Sequence, residues 1–473
     1  MGARIFGPSD ENAGARAARR LVLGVLALVL GGGVAEATTI TVTGTADENS
    51  SSLPNVVCTL REAVIAANTN AAVGACAAGS VAMDTIVLPA GTYGLTLAGT
   101  GEDAAQTGDL DLLGDVEIVG AGASATTIDA NGLDRIFDVR ARDVDLRLSG
   151  VTLRGGNATV GVWGKMGGAV SLTGTDPLPP FGYTDCTACT LTLEDSVVRD
   201  NVAIDGGAGV FIFGASAASH ITRSTFTNNQ SSTVSDVYIT VSSIEITDST
   251  LDANVGAGVA AVGAAGGLIT LDRSTVSNNG AGVGVDGFDV PGLPYLFGSA
   301  TIRNSTISGN AYVGLYGGNA YVTVESSTIV APTGAIAVQG AYSTTFANTL
   351  VSGYCFPGSY PTSFGGNLES PGNLCGFTGT GDQVNVANPK LGPLGSYGGY
   401  TKTHNLQPGS PAIGAGLAAN CPATDQRGIA RPAPASGNCD VGAYEATGCG
   451  ASLSVAGAAP LALALRRRRP RRC

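Results

Sequence analysis

Between about Leu146 and Gly353 the chain alternates apolar and polar residues in short bursts that keep step with a recurring phrase. The phrase reads Asp-Ser-Val-Val-Arg-Asp-Asn at 195–201 and returns, varied, at 223–229, 248–254, 273–279 and 304–310, with weaker copies around Ser327 and Asn348. Aligned on Ser196, Ser224, Ser249, Ser274, Ser305, Ser327 and Asn348, the copies are 28, 25, 25, 31, 22 and 21 residues apart. A period of this size signals a solenoid. Three residues before each reference stand Leu193, Ile221, Ile246, Leu271, Ile302 and Val324. Two residues after it stand Val198, Phe226, Leu251, Val276, Ile307, Ile329 and Leu350. Leu191, Ile244, Ile269 and Val322 form a third column, and Leu146, Leu148 and Leu153 fit the template around Val151. Period-2 alternation puts these side chains on one face of short strands.

Strands of about 4–5 residues are marginal alone. Stacked coils pair each strand with its copy roughly 4.8 Å away and merge the columns into one core. A further alternating run (Val210/Ile212, Val283/Val285, Val313/Leu315) gives three strands per coil. The expected fold is an all-β, right-handed parallel β-helix with N- and C-terminal caps. Asn201, Asn229, Asn254, Asn279 and Asn310 recur five residues after the reference. We expect an inward structural ladder there, with Asn also supplying the left-handed backbone of a sharp turn. Thr225, Thr250, Thr275, Thr306, Thr328 and Thr349 read as an outward column, either a recognition strip or simply exposed strand.

Composition fits many tight turns: 70 Gly in 473 residues, with only 13% charged residues. The net charge is −12. Four Arg and three acids lie in the first 37 residues and six Arg with no acid in the last 28, so the body between is more acidic still. An acidic body repels nucleic acid and excludes it as a partner.

Residues 1–37 run from Arg16, Arg19 and Arg20 through the apolar Leu21–Leu30 to Ala35-Glu36-Ala37. This is the order of a secretory signal peptide, cut after Ala37; ten apolar residues are too few to span a bilayer. In 38–98, Cys58-Thr-Leu-Arg-Glu-Ala63 and Asp84-Thr-Ile-Val-Leu-Pro-Ala-Gly-Thr-Tyr93 resemble the CSLREA family, with Thr59 in place of the usual Ser. The resemblance implies an N-terminal cap on an exported β-helix and brings no catalytic residue. A short helix there would protect an open sheet edge, and Arg61 and Glu62, adjacent and so divergent on a helix, read as structural.

The repeats occupy 99–387. Asp109 and Asp111 alternate onto one strand face, with Asp115 near the next turn. Their oxygens suit Ca²⁺, and an exposed acidic strand edge gives the same pattern. An insertion at 157–190 carries Trp163, Phe181 and Tyr183, which either stack on sugars or pack against the helix, and then Cys186-Thr-Ala-Cys189, which favours a local disulfide. Asp205 and Asp286 are candidate catalytic carboxylates in turns; His220 and His404 sit in no recognisable dyad.

From 388 to 445 the repeat gives way to Pro389-Lys-Leu-Gly-Pro-Leu394, Thr403–Ile413, Thr424-Asp-Gln-Arg-Gly428 and Cys439-Asp-Val-Gly-Ala-Tyr-Glu445. These words resemble the choice-of-anchor Q domain, which implies a C-terminal cap ahead of a surface anchor. Asp425, Arg427 and Asp440 read as buried polar contacts of a lid on the last coil. The tail, 446–473, joins Gly448-Cys449-Gly450 to apolar Ala451–Leu465 and an Arg cluster. It resembles bacterial sorting tails of the MYXO-CTERM kind, which implies cleavage near Cys449 and attachment at the membrane, although fifteen residues rise only about 22 Å against a ~30 Å bilayer core. Setting Cys449 and Cys473 aside, Cys58, Cys76, Cys186, Cys189, Cys355, Cys375, Cys421 and Cys439 fall in neighbouring pairs, as short disulfide staples of an exported protein would.

The expectation is an exported, monomeric, surface-attached protein of the outer membrane or secreted space. It would be a non-catalytic adhesin or envelope component whose partners are surface glycans or another cell. Calcium is the one candidate cofactor. The alternative is a polysaccharide lyase or glycoside hydrolase, which requires acids converging on one groove.

Overall fold

The computed structural model describes residues 36–49, 56–159, 165–173, 186, 188–256, 260–289, 294–340, 342–356, 362–433 and 437–447. Each turn of the backbone gives one strand to each of three parallel sheets. The first sheet has 12 strands, from Thr39–Thr41 to Thr362–Ser363. The second has 11, from Gly91–Gly94 to Leu368–Ser370, and the third has 10, from Leu110–Leu112 to Tyr354–Phe356. Strand order in every sheet follows chain order, so each coil lies on the one before it.

The apolar columns form the interior. Leu193 pairs with Ile221, Ile221 with Ile246, Ile246 with Leu271, and Leu271 with Ile302, all fully buried. The Asn column is a continuous ladder inside the turn. Asn201 Nδ2 donates to Asn229 Oδ1 (2.9 Å), Asn229 to Asn254 (3.3 Å), Asn254 to Asn279 (3.2 Å) and Asn279 to Asn310 (3.1 Å). Beside it runs a second ladder, in which the backbone N–H of each reference serine donates to the next serine's Oγ, from Ser196 to Ser327.

Two local expectations are corrected. The left-handed backbone belongs to the residue before each ladder Asn: Asp200, Asn228, Ala253, Asn278 and Gly309 have φ of 57°, 55°, 59°, 56° and 70°. The ladder Asn points inward and leaves the turn to its neighbour. In the last weak copy Thr328 pairs with Leu350, so Ser327 stacks on Thr349 and not on Asn348. Thr349 Oγ1 takes the serine's place, accepting no outward role and donating to Val324 O and Ala347 O.

The first rungs already lie inside 38–98. Thr39–Thr41, Asp84–Leu88 and Gly91–Gly94 are solenoid strands, and the helix Leu60–Thr69 packs against Leu110–Leu112 at the open end of the third sheet. Its Asn68 supplies the missing edge partner, donating to Asp111 O (2.8 Å) and accepting from Leu113 N (3.0 Å). The hexapeptide around it is structural. Cys58 is disulfide-bonded, Thr59 and Glu62 form a capping box, and the fully buried Arg61 binds Asp47 and three carbonyls.

The last parallel rung ends at Ser370, and segment 388–445 does not stop at the last coil as a lid would. It reaches back along the outer face of the second sheet to Thr275. Thr275 Oγ1 donates to Lys402 O; Thr306 meets Thr403 (2.9 Å) and Gln426 (2.6 Å); Thr328 Oγ1 accepts from Ala443 N (2.9 Å). Beyond the threonines, Leu350 and Leu368 continue the outward face and pack with Leu406, Ala412 and Val441. A regular column of hydroxyls and leucines offers far more partners than one terminal rung. Asp425, Arg427 and Asp440 lie within this segment, not over the solenoid's end: Arg427 binds Asp425 (2.6 Å) and covers the Tyr444 ring at 3.6 Å, while Asp440 Oδ1 accepts from Gly414 N.

Candidate functional site

The outer faces of the sheets are where the repeat leaves side chains free. On the first sheet, Thr270, Thr301, Thr323, Thr345 and Thr362 stand in register on successive strands. Beside them runs the column Leu268, Ser299, Tyr321 and Ser343. Where the chain enters these strands from the third sheet, Tyr295, Phe297, Tyr321 and Tyr342 form one cluster. Phe297 lies 5.4, 5.5 and 5.2 Å from the rings of Tyr295, Tyr321 and Tyr342, and Tyr321 meets Tyr342 edge-on at 5.5 Å. All four are 40–59% exposed. Around the corner, Tyr312, Tyr354 and Phe356 are exposed too, and Tyr316, Gln339 and Phe356 stack in register on the third sheet. Contiguous exposed aromatic surface of this kind is a candidate binding surface.

Polar groups border the rings. Asn319 Nδ2 donates to Tyr295 Oη (2.8 Å), and Asp286 Oδ1 accepts from Asn319 N (2.9 Å) and Gly287 N (2.7 Å). Tyr316 hydrogen-bonds Asp286, and burial together with that carboxylate raises its phenol above the usual range. The corner thus offers ring faces with hydroxyl, amide and carboxylate groups at their margin. Rings stack on apolar C–H faces, and the margin exchanges hydrogen bonds with hydroxyl groups.

The sequence-predicted candidates are distributed differently. Trp163, Phe181 and Tyr183 lie outside the described residues, as does Cys449. Asp109 and Asp111 come together, buried, at the start of the third sheet. Asp115 does not join them: it is exposed and its Oδ1 accepts from Asp145 N (2.8 Å), because two residues of turn carry it to the next corner. Asp138, from the neighbouring rung, occupies the third position. Asp286 belongs to the aromatic corner and Asp205 is exposed elsewhere. His220 meets Glu245 at 3.3 Å on the open face of the first sheet. His404 is buried under the C-terminal segment, its Nε2 2.8 Å from Ser308 Oγ and its Nδ1 2.8 Å from Gly392 O; burial lowers its pKa. The cysteines pair as Cys58–Cys76, Cys186–Cys189, Cys355–Cys375 and Cys421–Cys439. Ala37 is exposed just before the first strand.

The family model "Right handed beta helix region" matches residues 264–362, the rungs that carry the aromatic corner. The fold is a right-handed parallel β-helix. No curated protein matches the chain. Among solved structures, the chain is similar to pectate lyase Pel9A at 14% identity and a TM-score of 0.47, over 76% of this chain and 88% of that one. It is also similar to the A-modules of the Azotobacter vinelandii mannuronan C-5 epimerases AlgE6 (19% identity, TM-score 0.36) and AlgE4 (17%, 0.37). Each of those covers 72% of this chain, and 97% and 98% of the respective module.

The sequence directs attention to the aromatics of the insertion and not to this corner. A signal was present: Tyr295, Phe297, Tyr312, Tyr316, Tyr321, Tyr342, Tyr354 and Phe356 crowd into 62 residues, mostly at positions the period-2 pattern turns outward.

Proposed function

We propose that this β-helix is an exported, surface-attached protein whose aromatic corner and adjoining threonine strip bind a polysaccharide without cleaving it. The four-ring cluster of Tyr295, Phe297, Tyr321 and Tyr342 carries the reading, since rings held in mutual contact are pre-ordered and lose little freedom on binding. The carboxylate built into its margin, Asp286, already accepts two backbone N–H groups and holds a structural turn. The net charge of −12 favours a neutral polymer over an acidic one. Export is supported by four disulfides, which persist in oxidising compartments. Attachment rests on the resemblance of the tail; among the described residues no helix is long and apolar enough to cross a membrane.

The test is binding of the purified chain to neutral and acidic polysaccharides, read by affinity electrophoresis with product analysis on the same samples. Retardation by a neutral polymer is expected, with affinity falling about 3–10-fold for Tyr321→Ala or Tyr342→Ala, from ~0.5–1.5 kcal/mol per aromatic contact. Binding unaffected by both substitutions, or release of shortened or unsaturated products, overturns the reading. Mass spectrometry of the mature termini tests cleavage at Ala37 and near Cys449.

A further inference from the structure

The third sheet begins with an arrangement that a parallel sheet does not tolerate unaided. Asp111 and Asp138 stand opposite each other on neighbouring strands, where like charges repel. Asp109 lies two residues before Asp111 on the same face, and one carboxylate oxygen from each of the three lies within 4.8 Å of the others. All three are at least 95% buried.

The surrounding cations do not balance them. Arg135 Nη1 is 3.5 Å from Asp109, 3.7 Å from Asp138 and 3.9 Å from a fourth buried acid, Asp134. Arg140 Nη1 is 3.5 Å from Asp138, while its Nη2 turns outward to Asp103 at 3.0 Å. Two guanidiniums therefore face four buried carboxylates. Asp111 Oδ2 accepts from Ala105 N (2.8 Å), but Asp111 Oδ1 and Asp138 Oδ1 are buried with no hydrogen-bond partner. Buried acceptors in native proteins are almost always satisfied, and such an exception points to an ion or water.

We propose that Asp109, Asp111 and Asp138 bind one calcium ion that ties the 96–109 loop to the first rungs of the third sheet. The donors are all hard oxygens, with no imidazole or thiolate among them, which favours calcium over zinc. Calcium takes oxygens at about 2.3–2.6 Å, so its ligands lie no more than about 5.2 Å apart, and the three carboxylate oxygens, all within 4.8 Å of one another, are close enough to share one ion. Magnesium needs a tighter octahedron and holds its waters. A divalent charge also cancels the excess of two carboxylates.

The site is tested on the full chain stripped with EDTA. Equilibrium dialysis should return one calcium per chain, with none retained from magnesium at equal concentration, and calcium should raise the Tm. Asp111→Asn and Asp138→Asn should each weaken calcium binding at least ~10-fold and abolish the Tm response. In EDTA both variants should unfold no earlier than the unsubstituted chain, because the repulsion is gone. Terbium luminescence on the unsubstituted chain makes the result independent of variant folding; emission displaced by calcium is expected. Absence of stoichiometric calcium, no calcium-displaceable terbium signal, or undiminished binding in both variants overturns the proposal.

Discussion

The Asn ladder makes a quantitative demand at Asn254. Its Oδ1 accepts from the backbone N–H of Asn229 (3.0 Å) and from Asn229 Nδ2 (3.3 Å), and its Nδ2 donates to Phe226 O (3.2 Å) and Asn279 Oδ1 (3.2 Å). Asn254→Ala removes all four bonds and leaves two buried backbone groups, Asn229 N–H and Phe226 C=O, without those partners. At about 1–3 kcal/mol per unsatisfied buried group, with some relief from relaxation or an entering water, the expected loss is about 3 kcal/mol. Asn254→Asp has the same size but sets an oxygen where the amide donated, facing Phe226 O and Asn279 Oδ1, and buries a charge. It should cost more than Ala. Asn278→Gly is the control: it removes one exposed hydrogen bond, from Asn278 Nδ2 to Asp252 Oδ1 (2.7 Å), but the φ of Asn278 is 56° and glycine adopts that backbone freely, so the change should fall within about 1 kcal/mol. Guanidinium unfolding followed by far-UV circular dichroism gives the stabilities, and hydrogen exchange at the Asn229 amide localises the damage. A loss under 1 kcal/mol for Ala, or Asp no worse than Ala, refutes the ladder as a load shared between coils.

Two further outcomes follow from buried groups at the edges of the solenoid. Arg61→Ala strands the buried Asp47 carboxylate and frees the carbonyls of Ala105, Gly108 and Asp109; a destabilisation of about 3–5 kcal/mol is expected, with faster proteolysis in the 96–109 loop, and unchanged chemical denaturation would contradict it. His404 has a folded pKa lowered by burial, so its contribution is fully present above the unfolded value of about 6.5 and is lost as pH falls below it. The Tm of the wild-type chain should therefore fall more steeply between pH 7 and about 5 than that of His404→Gln; parallel profiles would show that His404 titrates alike in the folded and unfolded states and would contradict a pKa lowered by burial.

How much of this was legible in the chain depends on whether neighbours in space were also neighbours in pattern. A stacked coil places each residue over its counterpart one period away, so a column in the alignment is a column in the core. Hence Leu193, Ile221, Ile246 and Leu271, the Asn ladder and the three-strand coil could be read from spacing alone. The register failed at Asn348 because the left-handed residue before each serine is Asp, Arg, Asn or Ser in turn, and only strand pairing reveals that Thr349 inherits the serine's bonds. Three features required the tertiary structure. The C-terminal segment lies along a hydroxyl column over 100 residues earlier in the chain, and no periodicity links the two. Asp138 replaces Asp115 beside Asp109 and Asp111 because pairing across the sheet, not distance along the chain, brings carboxylates together. The aromatic corner forms because residues up to 47 positions apart enter the first sheet at the same edge, which turns scattered exposed rings into one surface. Local pattern and repetition determined the winding, while contacts between non-equivalent positions, which repetition does not encode, decided which exposed side chains come together on its surface.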